Sequence, residues 1–531
     1  MNRVLSFVML AALACTSVIA RAADAPPPKK PSPASAPAAP SEKGVFPDSV
    51  TSHSITIDGK PIAYTTRAGL IALYDQQGKK TAEVFYTADV EDGADPATRP
   101  VTFIYNGGPG SSTMWLRMGS IGPVRVVAAN GEPSGPPPYR IVDNQYSLLD
   151  KSDLVFIDMP DSGFGRIEPG VDVKTFFGVD QDVAAFGQFI SNYISKFGRW
   201  NSPKFLFGES YGTTRSAALA DYLLNQGIAL NGVVLQSSIL NFGLDYTSGA
   251  PIGGADWPFV LYLPTEAATA WYHHKVGNQS ADLATFVSTV EQFAMGEYLD
   301  ALYRGDKISN AERDDVVRKL SDYLGLPQQY IRESDLRIPY SRFQAELLRG
   351  QGEVVGRLDA RYTTWTTDRS SQEGPPWDPT DSSIDAPYTT AINQYLRVDL
   401  KYNPPIPYRT NIYGIIYGPN FSNPDGWNFS HTPPGEPLGL GGYPTNVAPD
   451  LADAMTQNPS LKVFSANGYF DFATPFFATQ YTLEHLNLSP SLQSNITFGF
   501  YQSGHMIYLS PQALSQYKTD LARWYDSATG H

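Results

Sequence analysis

The chain has 531 residues, 42% of them hydrophobic and 12% aromatic. That supplies enough apolar material for a sizeable core and excludes a chain left unfolded for want of one. Against 39 Lys and Arg stand 53 Asp and Glu, a net charge of -14, and the body has no long basic run; this argues against nucleic acid or an anionic membrane surface as partner.

Taken in order, the first 22 residues read as a signal peptide. Arg3 supplies the positive start, residues 4–20 are apolar and small, and Ala20-Arg21-Ala22 has the form of a cleavage site. The one cysteine, Cys15, lies inside this segment. The mature protein would then have no disulfide, and the expected location is exported, periplasmic or secreted, with no membrane contact after cleavage. A lipoprotein acylated at Cys15 is the alternative. Residues 23–44 are rich in Pro and Ala and read as a disordered linker. A folded body is expected over 45–531.

Short runs at 55–57, 62–64 and 82–86 predict an antiparallel meander. Strand-like and helical patterns then alternate. Residues 101–105 and 153–158 read as strands, apolar positions from Val183 to Phe197 recur every three or four residues as in a helix, and 204–207 and 232–235 are strands again. Further strands are expected at 461–465 and 496–500. The implied fold is α/β: a mostly parallel central sheet covered by helices. The region 244–400 breaks the alternation, with helices expected at 266–276, 282–303, 310–324 and 340–349. It reads as a largely helical cap insertion; an independent second domain is the alternative.

Chemistry concentrates at Gly208-Glu209-Ser210-Tyr211-Gly212, between the strand at 204–207 and a helical run at 213–224. This Gly-x-Ser-x-Gly pattern is the sequence form of a nucleophile elbow, with Ser210 as candidate nucleophile for acyl chemistry. His505, in the loop after the strand at 496–500, is the candidate base; Asp471, after the strand at 461–465, is the candidate acid. Asp158 precedes Ser210 and reads as a structural carboxylate. The oxyanion hole needs two backbone N–H groups, one from Tyr211 and one from the Gly-rich loop 106–112. A phosphate cradle is the rival for that loop, which lacks the P-loop lysine and spacing. No His or Cys cluster has metal-ligand spacing, so no metal and no other cofactor is expected.

With these residues in hand, the chain resembles the serine carboxypeptidases, a branch of the α/β-hydrolases. The resemblance rests on Asn106-Gly107-Gly108-Pro109-Gly110-Ser111-Ser112, on the elbow, on Asp471, on Gly504-His505-Met506, and on the connecting segments at 144–147 and 156–160. It covers about residues 100–240 and 460–510. It implies Ser210, Asp471 and His505 as triad and Gly108 and Tyr211 as oxyanion donors. It further implies that Asn106, Gly107 and Glu209 bind the terminal carboxylate of a peptide with a free C-terminus. Glu209 beside a carboxylate substrate requires a proton on one of the two, hence a raised pKa. Three departures stand out: Ser111 where the family usually has a disulfide-bonded cysteine, Ser120 where its second carboxylate falls, and a loop at 159–165 one residue short. An esterase or acyltransferase on the same scaffold is the alternative function. A binding protein with a relic site is a third reading, disfavoured by the intact Ser, Asp and His. Neither side-chain preference nor oligomeric state is legible.

Overall fold

The computed structural model describes residues 46–244, 255–279, 282–418, 423, 426–435 and 444–530. The expected signal peptide and linker lie outside the described residues.

A long antiparallel meander opens the body: β1 (Ser49–Ile57), β2 (Lys60–Tyr74) and β3 (Lys80–Glu91). Then follow β4 (Val101–Tyr105), β5 (Asp153–Ile157), β6 (Lys204–Ser210), β7 (Gly232–Ser238), β8 (Lys462–Gly468) and β9 (Ile496–Tyr501). The sheet runs β1-β2-β3-β5-β4-β6-β7-β8-β9, with the two-residue strand Arg166–Ile167 beside β3. Every pairing from β5 to β9 is parallel, while β3 meets β5 antiparallel. This is the mostly parallel sheet that the sequence predicts, in the arrangement of an α/β-hydrolase.

The strands are apolar on both faces, as burial on two sides demands. Successive side chains point to opposite faces. On one face Phe103, Leu206, Val233 and Val463 pack under helices of 179–196, 211–225 and 448–457. On the other, Ile104, Phe205, Phe207, Val234 and Phe464 pack under 114–119, 379–394 and 511–529. The helices used below are α1 (Met114–Gly119), α2 (Val179–Lys196), α3 (Tyr211–Asn225), α4 (Trp257–Tyr272), α5 (Leu283–Phe293), α6 (Asn310–Leu324), α7 (Pro379–Gln394) and α8 (Ala448–Gln457).

Between the neighbouring strands β7 and β8 lies the long segment containing α4 to α8, whose helices α4 to α6 form a third apolar core with Phe470, Phe472, Phe476 and Phe477. Its elements differ from expectation in three places. Helix α4 starts at Trp257 and ends at Tyr272, not 266–276. It runs through Pro264, whose missing N–H costs an internal hydrogen bond; burial of Phe259, Val260, Leu261, Tyr262 and Leu263 offsets that cost. The helix expected at 282–303 is α5, a π turn at Ala294–Tyr298 and a last helical piece Leu299–Arg304. The helix from Tyr340 stops at Glu346, and a hairpin of Glu353–Val355 with Thr363–Trp365 interrupts the helical run. Helix α6 matches, because Ser309 and Glu312 cap it reciprocally and Gly325 closes it at φ 66°.

Candidate active site

The site lies at the carboxyl ends of the parallel strands, where open α/β sheets carry their ligands. Ser210 is the last residue of β6 and the N-cap of α3, with φ 61° and ψ -132°. A serine in that region is strained, and the turn holds it there because Gly208 and Gly212, two residues to either side, let strand and helix pass closely. A Cβ on Gly208 would collide with the Gly212 carbonyl, and one on Gly212 would lie 2.9 Å from the Tyr105 carbonyl. Ser210 remains half-buried while its neighbours are buried. This is elbow geometry: an accessible hydroxyl at a strand-to-helix turn.

The loop after β4 is pressed onto the start of α3. A Cβ on Gly107 would collide with the Tyr211 nitrogen and lie 2.6 Å from that of Gly212. Gly108 follows at φ 109°, a conformation reserved for glycine. Tyr211 is the first residue of α3, where N–H groups have no intrahelical acceptor, so the backbone here can serve an anion.

Asp471 and His505 meet. Asp471 Oδ2 lies 2.8 Å from His505 Nδ1. Thr474 Oγ1 donates to Asp471 Oδ2 at 2.6 Å and lies 3.2 Å from His505 Nδ1. The other oxygen, Oδ1, accepts the N–H groups of Ala473 (2.8 Å) and Thr474 (3.0 Å). The carboxylate is thus fully buried yet saturated with donors. Burial lowers the basicity of His505, but the Asp471 carboxylate outweighs it and raises the imidazole pKa.

The loops bearing these two residues are tied down by main-chain bonds from residues 357–360. Phe472 N–H donates to the Arg357 carbonyl, His505 N–H to that of Leu358, and Ala360 N–H to that of Phe470. From the opposite side Ser237, in the left-handed region at φ 51° where β7 bulges, donates its hydroxyl to the His505 carbonyl at 2.6 Å.

Glu209, beside the nucleophile, is buried and caged. Its Oε1 accepts Asn106 Nδ2 at 2.5 Å and Tyr508 Oη at 3.4 Å; its Oε2 accepts Gln236 Nε2 at 2.5 Å. Asn106 is oriented by Leu116, whose N–H donates to Oδ1 at 3.1 Å. Burial pushes the Glu209 carboxyl up to about 7, against the pull of His505 and the hydrogen bonds of Tyr508 and Asn106.

The remaining sequence expectations find their places. Asp158 sits under the loop as a structural group, accepting the Thr113 N–H at 2.6 Å, and burial pushes it up to about 7 against that bond. Ser111 pairs with Asn411 in an isolated bridge. Ser120 is buried at the end of α1, its carbonyl accepting Asn144 Nδ2 at 2.6 Å. Three contributions escaped the sequence reading: Gln236, Thr474, and the pair Arg215–Asp182. Arg215, five residues past Ser210, reaches Asp182 of α2 at 2.7 and 3.1 Å and the Asn106 carbonyl at 2.9 Å. Two charges at positions facing the core of amphipathic helices are the signal that could have exposed that pair.

The sequence model described as "Serine carboxypeptidase" matches residues 59–294. A curated relative, serine carboxypeptidase-like 45 of Arabidopsis thaliana, is 26% identical over 215 residues, which are 38% of this chain and 43% of that protein. The match therefore spans less than half of that relative's length. Among solved structures, Kex1(delta)p, a prohormone-processing carboxypeptidase from Saccharomyces cerevisiae, aligns over 87% of this chain and 91% of its own at TM-score 0.51 and 16% identity, a likeness of fold. Residues 59–294 thus carry the signature of the serine carboxypeptidases, a hydrolase family, on a chain whose described body has the α/β-hydrolase fold.

Proposed function

We propose that this protein is a serine carboxypeptidase that removes residues from peptides with a free C-terminus. Ser210 Oγ attacks the scissile carbonyl carbon. His505 takes the hydroxyl proton and delivers it to the leaving amine; Asp471, on Nδ1, holds the tautomer and stabilises the imidazolium. The N–H groups of Gly108 and Tyr211 receive the developing oxyanion. Water then attacks the acyl-enzyme with His505 again as base. Asn106, Gly107 and Glu209 hold the substrate's terminal carboxylate. The segment between β7 and β8 acts as a cap over the cleft, and the apolar N-terminal 22 residues support export as the route to substrate.

The observation that carries the reading is the buried Glu209 carboxyl next to the nucleophile, bonded to Asn106. A protonated carboxyl there can donate to a substrate's terminal carboxylate, a group that a simple ester lacks. Mass spectrometry tests it. One peptide is presented with a free and with an amidated C-terminus at about pH 5 and about pH 8, with Ser210→Ala as blank. Stepwise shortening of the free form alone is expected. An esterase or acyltransferase remains the second reading, favoured by Ser120 in place of the family's second carboxylate. Cleavage of neither peptide, with turnover of a phenyl ester, would establish it.

A further inference from the structure

Glu209 and Gln236 face each other in register on the parallel strands β6 and β7, at the last rung before β7 bulges. Side chains so paired stand on the same face of the sheet. Both are buried, and the amide nitrogen lies 2.5 Å from Oε2. The amide oxygen of Gln236 has no hydrogen-bond partner among the described residues. Gln236 is therefore committed through its nitrogen to this one carboxyl. We propose that Gln236 is a positioning residue for carboxylate recognition: its amide N–H, given to Oε2 of Glu209, holds the ionised carboxyl more firmly than the protonated one.

The donors around the carboxyl say where the proton goes. A protonated carboxyl must give up one acceptor site. Of the three donors around Glu209, the Tyr508 hydroxyl at 3.4 Å is the loosest, while the bonds of Asn106 and Gln236 at 2.5 Å are tight. Oε1 has both its acceptor sites taken, whereas Gln236 takes one of the two on Oε2, so the proton enters on Oε2 and weakens that oxygen as an acceptor for the amide. Other groups face Glu209 as well. His505 and Asp471 act from the loops after β9 and β8, Tyr508 from the turn beyond His505, and Tyr388, Tyr413 and Tyr517 from the covering helices. Of these, only His505 can take up positive charge. An N–H donor to the anion eases ionisation, and Gln236 supplies one without adding charge. Where Ser120 leaves no second acid to share the proton, burial raises the pH at which Glu209 lets it go and the Gln236 amide opposes that rise.

This inference rests on the carboxypeptidase reading for its substrate but not for its test. Gln236→Met removes the donor at similar length. The alkaline limb of 1/KM for a free-carboxylate peptide is expected to move up by about one pH unit, so KM above the wild-type limb falls about tenfold. Gln236→Glu, which creates a carboxyl pair sharing one proton, is expected to move it further. A structural role alone would change kcat or melting temperature and leave the limb in place. An unmoved limb in both variants overturns the proposal. A limb that moves down also overturns it, since it means the amide faces Glu209 with its oxygen. Should the wild type ignore free peptides, the reading fails but this inference is still tested. The infrared band of the protonated carboxyl that vanishes in Glu209→Gln must then titrate higher in Gln236→Met; equal titration overturns the inference.

Discussion

At the scale of single residues, the site is a set of proton positions. Asp471 makes four hydrogen-bond contacts, and one of them orients His505. Asp471→Asn is expected to lower kcat about 10⁴-fold by favouring the wrong imidazole tautomer, with melting temperature little changed; steady-state kinetics and a melting curve check both. Glu209 is set by its burial, which pushes it up to about 7. Below that pH it offers a proton to the substrate's carboxylate, and above it the two anions repel. For a free-carboxylate peptide kcat/KM is expected to fall as pH rises through about 7, and Glu209→Gln is expected to flatten that fall, because an amide N–H donates at every pH. A pH profile unchanged by the substitution would remove Glu209 from carboxylate binding. Ser210, Asp471 and His505 were legible as candidates because each stands beside a strand end that periodicity marks, and Glu209 only through the family resemblance. Gln236 and Thr474 were not, since their importance depends on strand register and on a loop closing over the acid, neither of which a linear pattern carries.

At the scale of elements, the elbow is held by a tie between helices. Arg215 of α3 and Asp182 of α2 pair with no exposure to solvent, and the same guanidinium takes the Asn106 carbonyl and lies 3.9 Å from the centroid of the Phe186 ring. The covering helix, the nucleophile's helix and the oxyanion loop are thereby fixed by one side chain. Arg215→Met leaves Asp182 buried without its cation and is expected to cost about 3–5 kcal/mol in urea unfolding. Arg215→Met with Asp182→Leu is expected to recover most of that stability, as a double-mutant cycle measures. The sheet strands were readable because buried parallel strands are short apolar runs between turns. Helix α4 was misjudged because its proline is a local signal for an end, while its burial, a tertiary fact, keeps it going.

At the scale of the molecule, acid–base chemistry also holds distant parts together. His431, buried, lies between Asp180 of α2 at 2.6 Å and Asp450 of α8 at 3.0 Å. Burial opposes its charge, yet the hydrogen bonds of the two carboxylates outweigh that and push it up to about 9. A folded pKa above the unfolded one stabilises fully below about 6.5 and loses that contribution as pH rises through about 9. His431→Gln is therefore expected to lower stability on the order of 2 kcal/mol near neutrality, a figure reduced for the half-exposed Asp180. Denaturation at several pH values should show the gap closing on the alkaline side.

The three main-chain bonds from residues 357–360 bear on how such a protein can change over time. Surface insertions usually drift freely, because little beneath them depends on their exact path. Here the loops of Asp471 and His505 are bonded to the backbone of residues 357–360, so that segment works as a jig against which those loops are set. A graft that widens the cleft while keeping these rungs would alter which peptides enter and leave the chemistry running. A deletion that severs them would undo the Asp471–His505 pairing, and with it the proposed activity, even with both side chains in place.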